Sequence, residues 1–167
     1  MAKIVALALR GFQFFMALLI MALIGNAIAM GADSSINNYT MFCAAFGMLT
    51  LFFLIPASLK EEWSVFPFLP FTLDLLNNLF WFCGAVALAA ELGVHSCNNS
   101  DYTHSNRVIR GSGSSGACRE SQASCAFLWF GWAAFVGTTV LTGLQMSGGS
   151  SSARPGIRRS GPAMSQV

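Results

Sequence analysis

Apolar residues dominate four long stretches of the chain: Ile4 to Met30, Met41 to Leu59, Phe71 to Val94 and Ser124 to Met146. A helix needs about 20 apolar residues to cross the hydrocarbon core of a bilayer. Each stretch is long enough or nearly so, and the pattern predicts four transmembrane helices. The connections between the first three are short, which makes neighbouring helices antiparallel. The predicted fold is an all-α, up-down-up-down bundle over residues 1–146, with both termini on one side of the membrane. Residues 147–167 are rich in Ser, Gly and Arg and carry no apolar period. They are expected to form a disordered tail.

The first stretch has a second reading. Lys3 and Arg10, a following apolar run and "AIA" at Ala27 to Ala29 have the order of a signal peptide with a cleavage site. The length of the run and the position of Arg10 within it favour a span.

The third stretch, "FTLDLLNNLFWFCGAVALAAELG", breaks the apolar pattern in an ordered way. Asp74, Asn77, Asn78 and Trp81 are three, four and seven residues apart, so one side of a helix carries them all. Polar groups in hydrocarbon need partners, so this side should face the other helices. Asp74 lies one turn past Pro70, near the boundary of the membrane, and Arg10 lies about two turns into the first span from the same boundary. Similar depth and opposite charge predict an Arg10–Asp74 pair wherever the first and third helices touch, with Gln13, Asn77 and Asn78 completing its hydrogen bonds. The competing reading makes Asp74 a proton or cation site, because ionisable groups inside membranes often mark transport paths. A transporter should also show internal repeats and broken helices around a midplane site. No repeat is visible, and the polar cluster lies at one end. Glu91, near His95 at the far end, is expected to reach water.

Composition agrees with a membrane protein. Hydrophobic residues make up 54% of the 167 and charged residues 10%, with fifteen Phe and eight Met. A soluble domain carries about 25% charged residues. The formal net charge of +2 and the lack of a basic stripe argue against nucleic acid as a partner.

Charge distribution predicts orientation. Lys3, Arg10, Lys60, Arg154, Arg158 and Arg159 belong to the side of the termini; Arg107, Arg110 and Arg119, offset by Asp101 and Glu120, belong to the other. The positive-inside rule then places both termini in the cytoplasm. Of the five cysteines, Cys43, Cys83 and Cys125 fall in spans, leaving Cys97 and Cys118 in the connection between the third and fourth spans. A pair isolated in an outer loop suggests a disulfide; two free thiols are the alternative. The "GSGSSG" between them reads as flexible. Sequons at Asn38 and Asn98 lie too close to spans for efficient glycosylation.

Small residues recur at four-residue spacing: Gly25 and Ala29 in the first span, Ala133 and Gly137, and Thr139 and Gly143, in the fourth. Such spacing lets helix backbones approach closely, either within the bundle or between protomers. Trp129, Trp132 and Trp63 suit interfacial belts. "KEEWSVFPFLP", Lys60 to Pro70, is broken by prolines and should lie in the interface. Arg154, Arg158 and Arg159 suit contact with anionic lipid, and Ser160 beside two arginines has the form of a kinase site that phosphorylation would switch. As with any short motif, the plain alternative is that Ser160 is never modified. Catalytic constellations are absent, so an enzyme is not expected. His95 and His104 near the cysteine pair read as solvated side chains, and neither a metal nor any other cofactor is expected.

"ALRGFQ", "NYTMFCAAFGMLT", "LDLLNNLFWFCGAVALAAELGVHSC" and "CRESQASCAFLWFGWAAF" resemble, in this order, the fungal MARVEL-domain tetraspan proteins of the non-classical export protein 2 family. The likeness covers about Ala8 to Met146. Tetraspanins would show a Cys-Cys-Gly motif in a large outer loop, and claudins would show cysteines in the first outer loop, here "GADSSINNYT". The resemblance implies a multi-pass plasma-membrane protein with cytoplasmic termini that organises lipid and protein microdomains, is associated with eisosomes and is linked to sphingolipid status. Close-packing helix faces, aromatic belts and a basic tail suit self-association into a homo-oligomer; bound membrane lipids such as sphingolipid or sterol, and eisosome or other plasma-membrane proteins, are the partners expected with it. The family's third-span Asp and Asn positions correspond to Asp74, Asn77 and Asn78, and its loop cysteines to Cys97 and Cys118. The alternative function is a small transporter or channel built on Asp74, Asn77 and Asn78.

Overall fold

The structure is a computed structural model that describes residues 2–59, 68–93 and 95–151. Among the described residues the elements are five helices: α1 (Ala2–Ala29), α2 (Ser35–Leu59), α3 (Phe68–Leu92), α4 (Ser100–Ser105) and α5 (Ser115–Ser151). Four of them are long and apolar enough to cross a membrane. The expected positions of Lys60, Trp63 and Pro67, and those of Arg154, Arg158, Arg159 and Ser160, lie outside the described residues.

The long helices form a four-sided bundle. α1 packs against α2 and α5, and α3 packs against the same two. Helices α1 and α3 therefore stand diagonally opposite, as do α2 and α5. Hydrophobicity alone cannot orient these helices, because they are apolar on nearly every side. Polarity and size do so instead. On α3 the buried positions are Asp74, Asn77, Trp81, Gly84, Ala85, Leu88 and Leu92, a helical period of three and four. On α2 they include Asn37, Thr40, Cys43, Ala44, Gly47 and Thr50. Large apolar side chains such as Phe52, Leu79, Phe130 and Leu144 point outward. The polar and small residues occupy the interior, where they find partners or permit close approach; the oily ones are left for lipid.

Trp81 shows the consequence. Its side chain is fully buried and packs on Phe135, ring centres 5.2 Å apart. Its indole N–H donates to the Cys43 carbonyl at 3.1 Å. The ring has room only because glycines face it. A Cβ on Gly47 would come within 3.0 Å of it and one on Gly131 within 2.0 Å. These two glycines, rather than the pairs at four-residue spacing, make room for the indole. Gly25, Gly137 and Gly143 face Met41, Leu9 and Phe71 on adjoining helices at 3.4 to 3.6 Å, ordinary contact inside one bundle. Ala29 and Ala133 are exposed.

Two features differ from the sequence reading. The last long helix begins at Ser115 rather than Ser124 and continues to Ser151. Its first turns are polar, yet they bury Ala117, Cys118, Ser121 and Ser124 against the rest of the fold, so packing extends the helix beyond the apolar run. The third connection is also ordered. Ala27, Ala32, Cys97, Tyr102, Ile109, Ala117 and Cys118 form a small core of their own over the end of the bundle. Its "GSGSSG" begins as a turn packed on Gly31 and ends inside α5: a Cβ on Gly111 would lie 2.2 Å from the Gly31 carbonyl oxygen, and Gly113 has φ +57°. Glycine is needed there for close approach and for a left-handed backbone, not for mobility.

Candidate functional site

Two places in the fold gather polar chemistry. The first is the cluster inside the bundle. Arg10 comes from α1 and Asp74 from the diagonal helix α3, so the arginine reaches across the centre. Both guanidinium nitrogens engage the carboxylate: Nη1 bonds Oδ1, and Nη2 bonds Oδ2 at 2.6 Å. Arg10 is 3% exposed and Asp74 fully buried. A planar fork matched to a carboxylate in this way is the stronger form of ion pair. Gln13, one turn along from Arg10, accepts from it at 3.4 Å and donates to the Thr138 hydroxyl on α5 at 3.0 Å. Thr138 Oγ1 lies 3.5 Å from Asp74 Oδ1.

Asn77 and Asn78 do not complete this pair. Asn77 is fully buried but turns to α2, where its amide donates to Thr50 Oγ1 at 2.9 Å. Asn78 turns to α5 and donates to Thr139 Oγ1 at 2.6 Å. The helix rotates successive positions by about 100°, so neighbours in sequence face different helices. The result is a division of labour: Arg10–Asp74 joins the diagonal helices, Gln13–Thr138 joins α1 to α5, Asn77–Thr50 joins α3 to α2, and Asn78–Thr139 joins α3 to α5. The sequence reading missed Thr50 and Thr138 as partners. Thr138 and Thr139 lie side by side in "GTTV", and paired threonines inside an apolar span are the signal that finds them. Arg10 Nε and Asn77 Oδ1 are buried with no hydrogen-bond partner among the described residues.

Beyond the cluster the core turns apolar. Phe135 lies one turn from Thr138 along α5, Trp81 two turns from Asp74 along α3, and both are fully buried. Met16, Ala17, Ile20 and Leu128 continue this layer.

The second place is the cap over the opposite end of the bundle. Cys97 and Cys118 are joined in a disulfide, with Cα atoms 5.6 Å apart, tying the chain just after α3 to the first turn of α5. Cys43, Cys83 and Cys125 are free. Asn99 caps α4, its side chain accepting from the backbone of Asp101 and Tyr102. The Tyr102 hydroxyl donates to the Leu92 carbonyl at 2.5 Å, and Asn106 donates to the Glu91 carbonyl at 2.7 Å. These bonds satisfy the last carbonyls of α3, which have no partners within the helix. Burial raises the Tyr102 phenol above the usual range for tyrosine. Glu91 carries Arg107 at 3.9 Å on the surface. His95 stacks on Tyr102, ring centres 4.8 Å apart. His104 packs beside Gly113. Among the described residues no group of three or more His, Cys, Asp or Glu is placed to hold a metal. The sequon at Asn38 lies within α2, and Asn98 accepts a hydrogen bond from Arg119 at 2.9 Å.

Trp129 and Trp132 meet edge to face with centres 5.6 Å apart, and Phe82 of α3 packs on both. The pair is an aromatic contact between α3 and α5 as well as a surface feature.

Comparison with known proteins agrees with this architecture. The MARVEL family, described as a membrane-associating domain, matches residues 3–141. Non-classical export protein 2 of Saccharomyces cerevisiae is 39% identical over 145 residues, covering 80% of each chain. Non-classical export protein 102 of Candida albicans is 36% identical over 164 residues, covering 95% of each. Non-classical export protein 2 homolog of Schizosaccharomyces pombe is 26% identical over 140 residues, covering 79% of this chain and 73% of its own. No solved structure matches. The chain belongs to the MARVEL family and is a multi-pass membrane protein with four spanning helices.

Proposed function

We propose that this protein is a non-catalytic organiser of the plasma membrane: a four-helix scaffold, with cytoplasmic termini, that associates with itself and with lipids and gathers other membrane proteins into microdomains of the eisosome type. The observation that carries this reading is the self-sufficiency of the Asp74 site. Both carboxylate oxygens are taken by Arg10, with Thr138 close by, and toward the middle of the bundle the cluster ends against the fully buried Trp81 and Phe135. A carboxylate that must bind and release an ion needs a free coordination position and a route to it. Here the charge is spent on holding two diagonal helices together. The outward Phe, Leu and Val side chains then present the working surface, which is lipid or another membrane protein.

The test compares flux with clustering. Purified protein in liposomes should pass neither protons nor alkali cations above empty vesicles, and fluorescently tagged protein should form patches at the fungal plasma membrane and oligomers in mild detergent. Ion flux that disappears in Asp74→Asn would replace this reading with the transporter.

A further inference from the structure

The cap contains a cavity of about 430 Å³ between the start of α2, the end of α3 and the turn after α4. Charged side chains of both signs line it: Asp33, Glu91, Arg107 and Arg110. Two of them are accounted for, since Glu91 and Arg107 pair with each other. The other two are not. Asp33 accepts only from the uncharged Asn38 amide, at 2.8 Å, and the Arg110 side chain has no hydrogen-bond or ion-pair partner among the described residues. They share one cavity and carry opposite charge, yet no ion pair within 4.0 Å joins them. Ser35, also in the wall, begins α2, and Glu91 is the last residue but one of α3. The cavity therefore lies where two spanning helices end.

We infer that this cavity binds a zwitterionic phosphate–ammonium group, of the phosphocholine or phosphoethanolamine kind, with the phosphate on Arg110 and the ammonium on Asp33. A simple anion would satisfy Arg110 and be repelled by Asp33; a simple cation would do the reverse. A neutral ligand with separated charges satisfies both groups, which do not pair with each other. The guanidinium fork is matched to phosphate oxygens. The same chemistry occurs on phospholipids and on their water-soluble glycerophospho derivatives, and the position at the ends of the helices favours the lipid. The inference deepens the lipid-binding part of the function proposed above.

The test is native mass spectrometry of the full chain in detergent, titrated separately with phosphatidylcholine, phosphatidylglycerol, diacylglycerol and soluble glycerophosphocholine. Phosphatidylcholine should bind at least about tenfold tighter than phosphatidylglycerol and diacylglycerol, the size expected from one charged contact of about 1.4 kcal/mol. Asp33→Asn should remove the preference over phosphatidylglycerol, Arg110→Gln should weaken the preference over diacylglycerol, and Arg110→Lys should retain part of the latter. Both positions are exposed, and the amide introduced by Asp33→Asn keeps an oxygen that can accept from Asn38, so melting in detergent should be unchanged. Competition by glycerophosphocholine would assign the site to the headgroup alone; its absence, with phosphatidylcholine bound, would assign it to the intact lipid. Equal binding of all three lipids, or a preference untouched by both substitutions, overturns the site. Patch formation in the same variants separates the two proposals: patches that persist after headgroup preference is shown to be absent leave the scaffold reading in place without this site.

Discussion

Arg10 and Asp74 meet across the centre of the bundle from diagonally opposed helices, a guanidinium fork laid on a carboxylate where neither side chain has meaningful access to solvent. The pair is costly to form, because each charge gives up its solvation, and costlier to break. Removing one partner of a buried pair typically destabilises by about 3–5 kcal/mol, since the other is left without compensation. Asp74→Asn and Arg10→Gln should each lower the melting temperature in detergent markedly. The double variant should recover part of the loss. Losses that simply add in the double-mutant cycle would show that the two residues are not coupled.

The glycines around Trp81 give a second expectation. Gly131→Ala places a methyl group 2.0 Å from the indole, so ring or helix must move. Overpacking of this kind costs about 1–3 kcal/mol. Gly11→Ala, with nothing within 4 Å of the new Cβ, should be neutral or slightly stabilising, because alanine is the better helix former by about 0.5–1 kcal/mol. Equal effects of the two substitutions on thermal stability would mean that Trp81 is not the constraint.

Gly137 and Gly143 face Leu9 and Phe71 of the same chain. Gly137→Leu and Gly143→Leu should therefore reduce the abundance of the folded protein, measured by fluorescence-detected gel filtration, before they alter its lateral assembly. Normal abundance with dispersed patches would place these faces between protomers instead.

The Tyr102 phenol supplies a pH dependence. Burial raises its pKa in the folded protein above the unfolded value near 10.0. The folded state therefore keeps its proton where the unfolded chain has released it. The stabilisation is fully present below the unfolded value and is lost as pH rises through the folded one. Cap opening, followed by hydrogen exchange at residues 95–114, should be flat with pH up to the unfolded value once intrinsic exchange is corrected for, and should rise above it. Tyr102→Phe should abolish that rise. An identical profile in the variant would assign the transition to another group.

The third helix shows how far the sequence could be read. Asp74, Asn77 and Trp81 at helical spacing announced a buried face, because polar groups in an apolar span have nowhere else to go. Opposite charge at similar depth pointed from Asp74 to Arg10. The fates of Asn77 and Asn78 were not legible: one bonds α2 and the other α5, and that choice depends on helix rotation and on which neighbour stands where. The glycines at four-residue spacing were conspicuous in the sequence, whereas Gly47 and Gly131, which matter to Trp81, share no local pattern and lie 84 positions apart, their numbers being 47 and 131.

The sequence by itself determined the four spanning helices and the inward face of α3, and it singled out the two loop cysteines. Those follow from the cost of polar groups in hydrocarbon and from helical period, which act locally along the chain. Only the tertiary structure decided that α1 and α3 are diagonal, that Arg10 must cross the centre to reach Asp74, and that the "GSGSSG" segment begins as a turn packed on Gly31. These outcomes depend on which surfaces fit at contact distance, and contact distance is a property of the folded neighbours rather than of any stretch of chain.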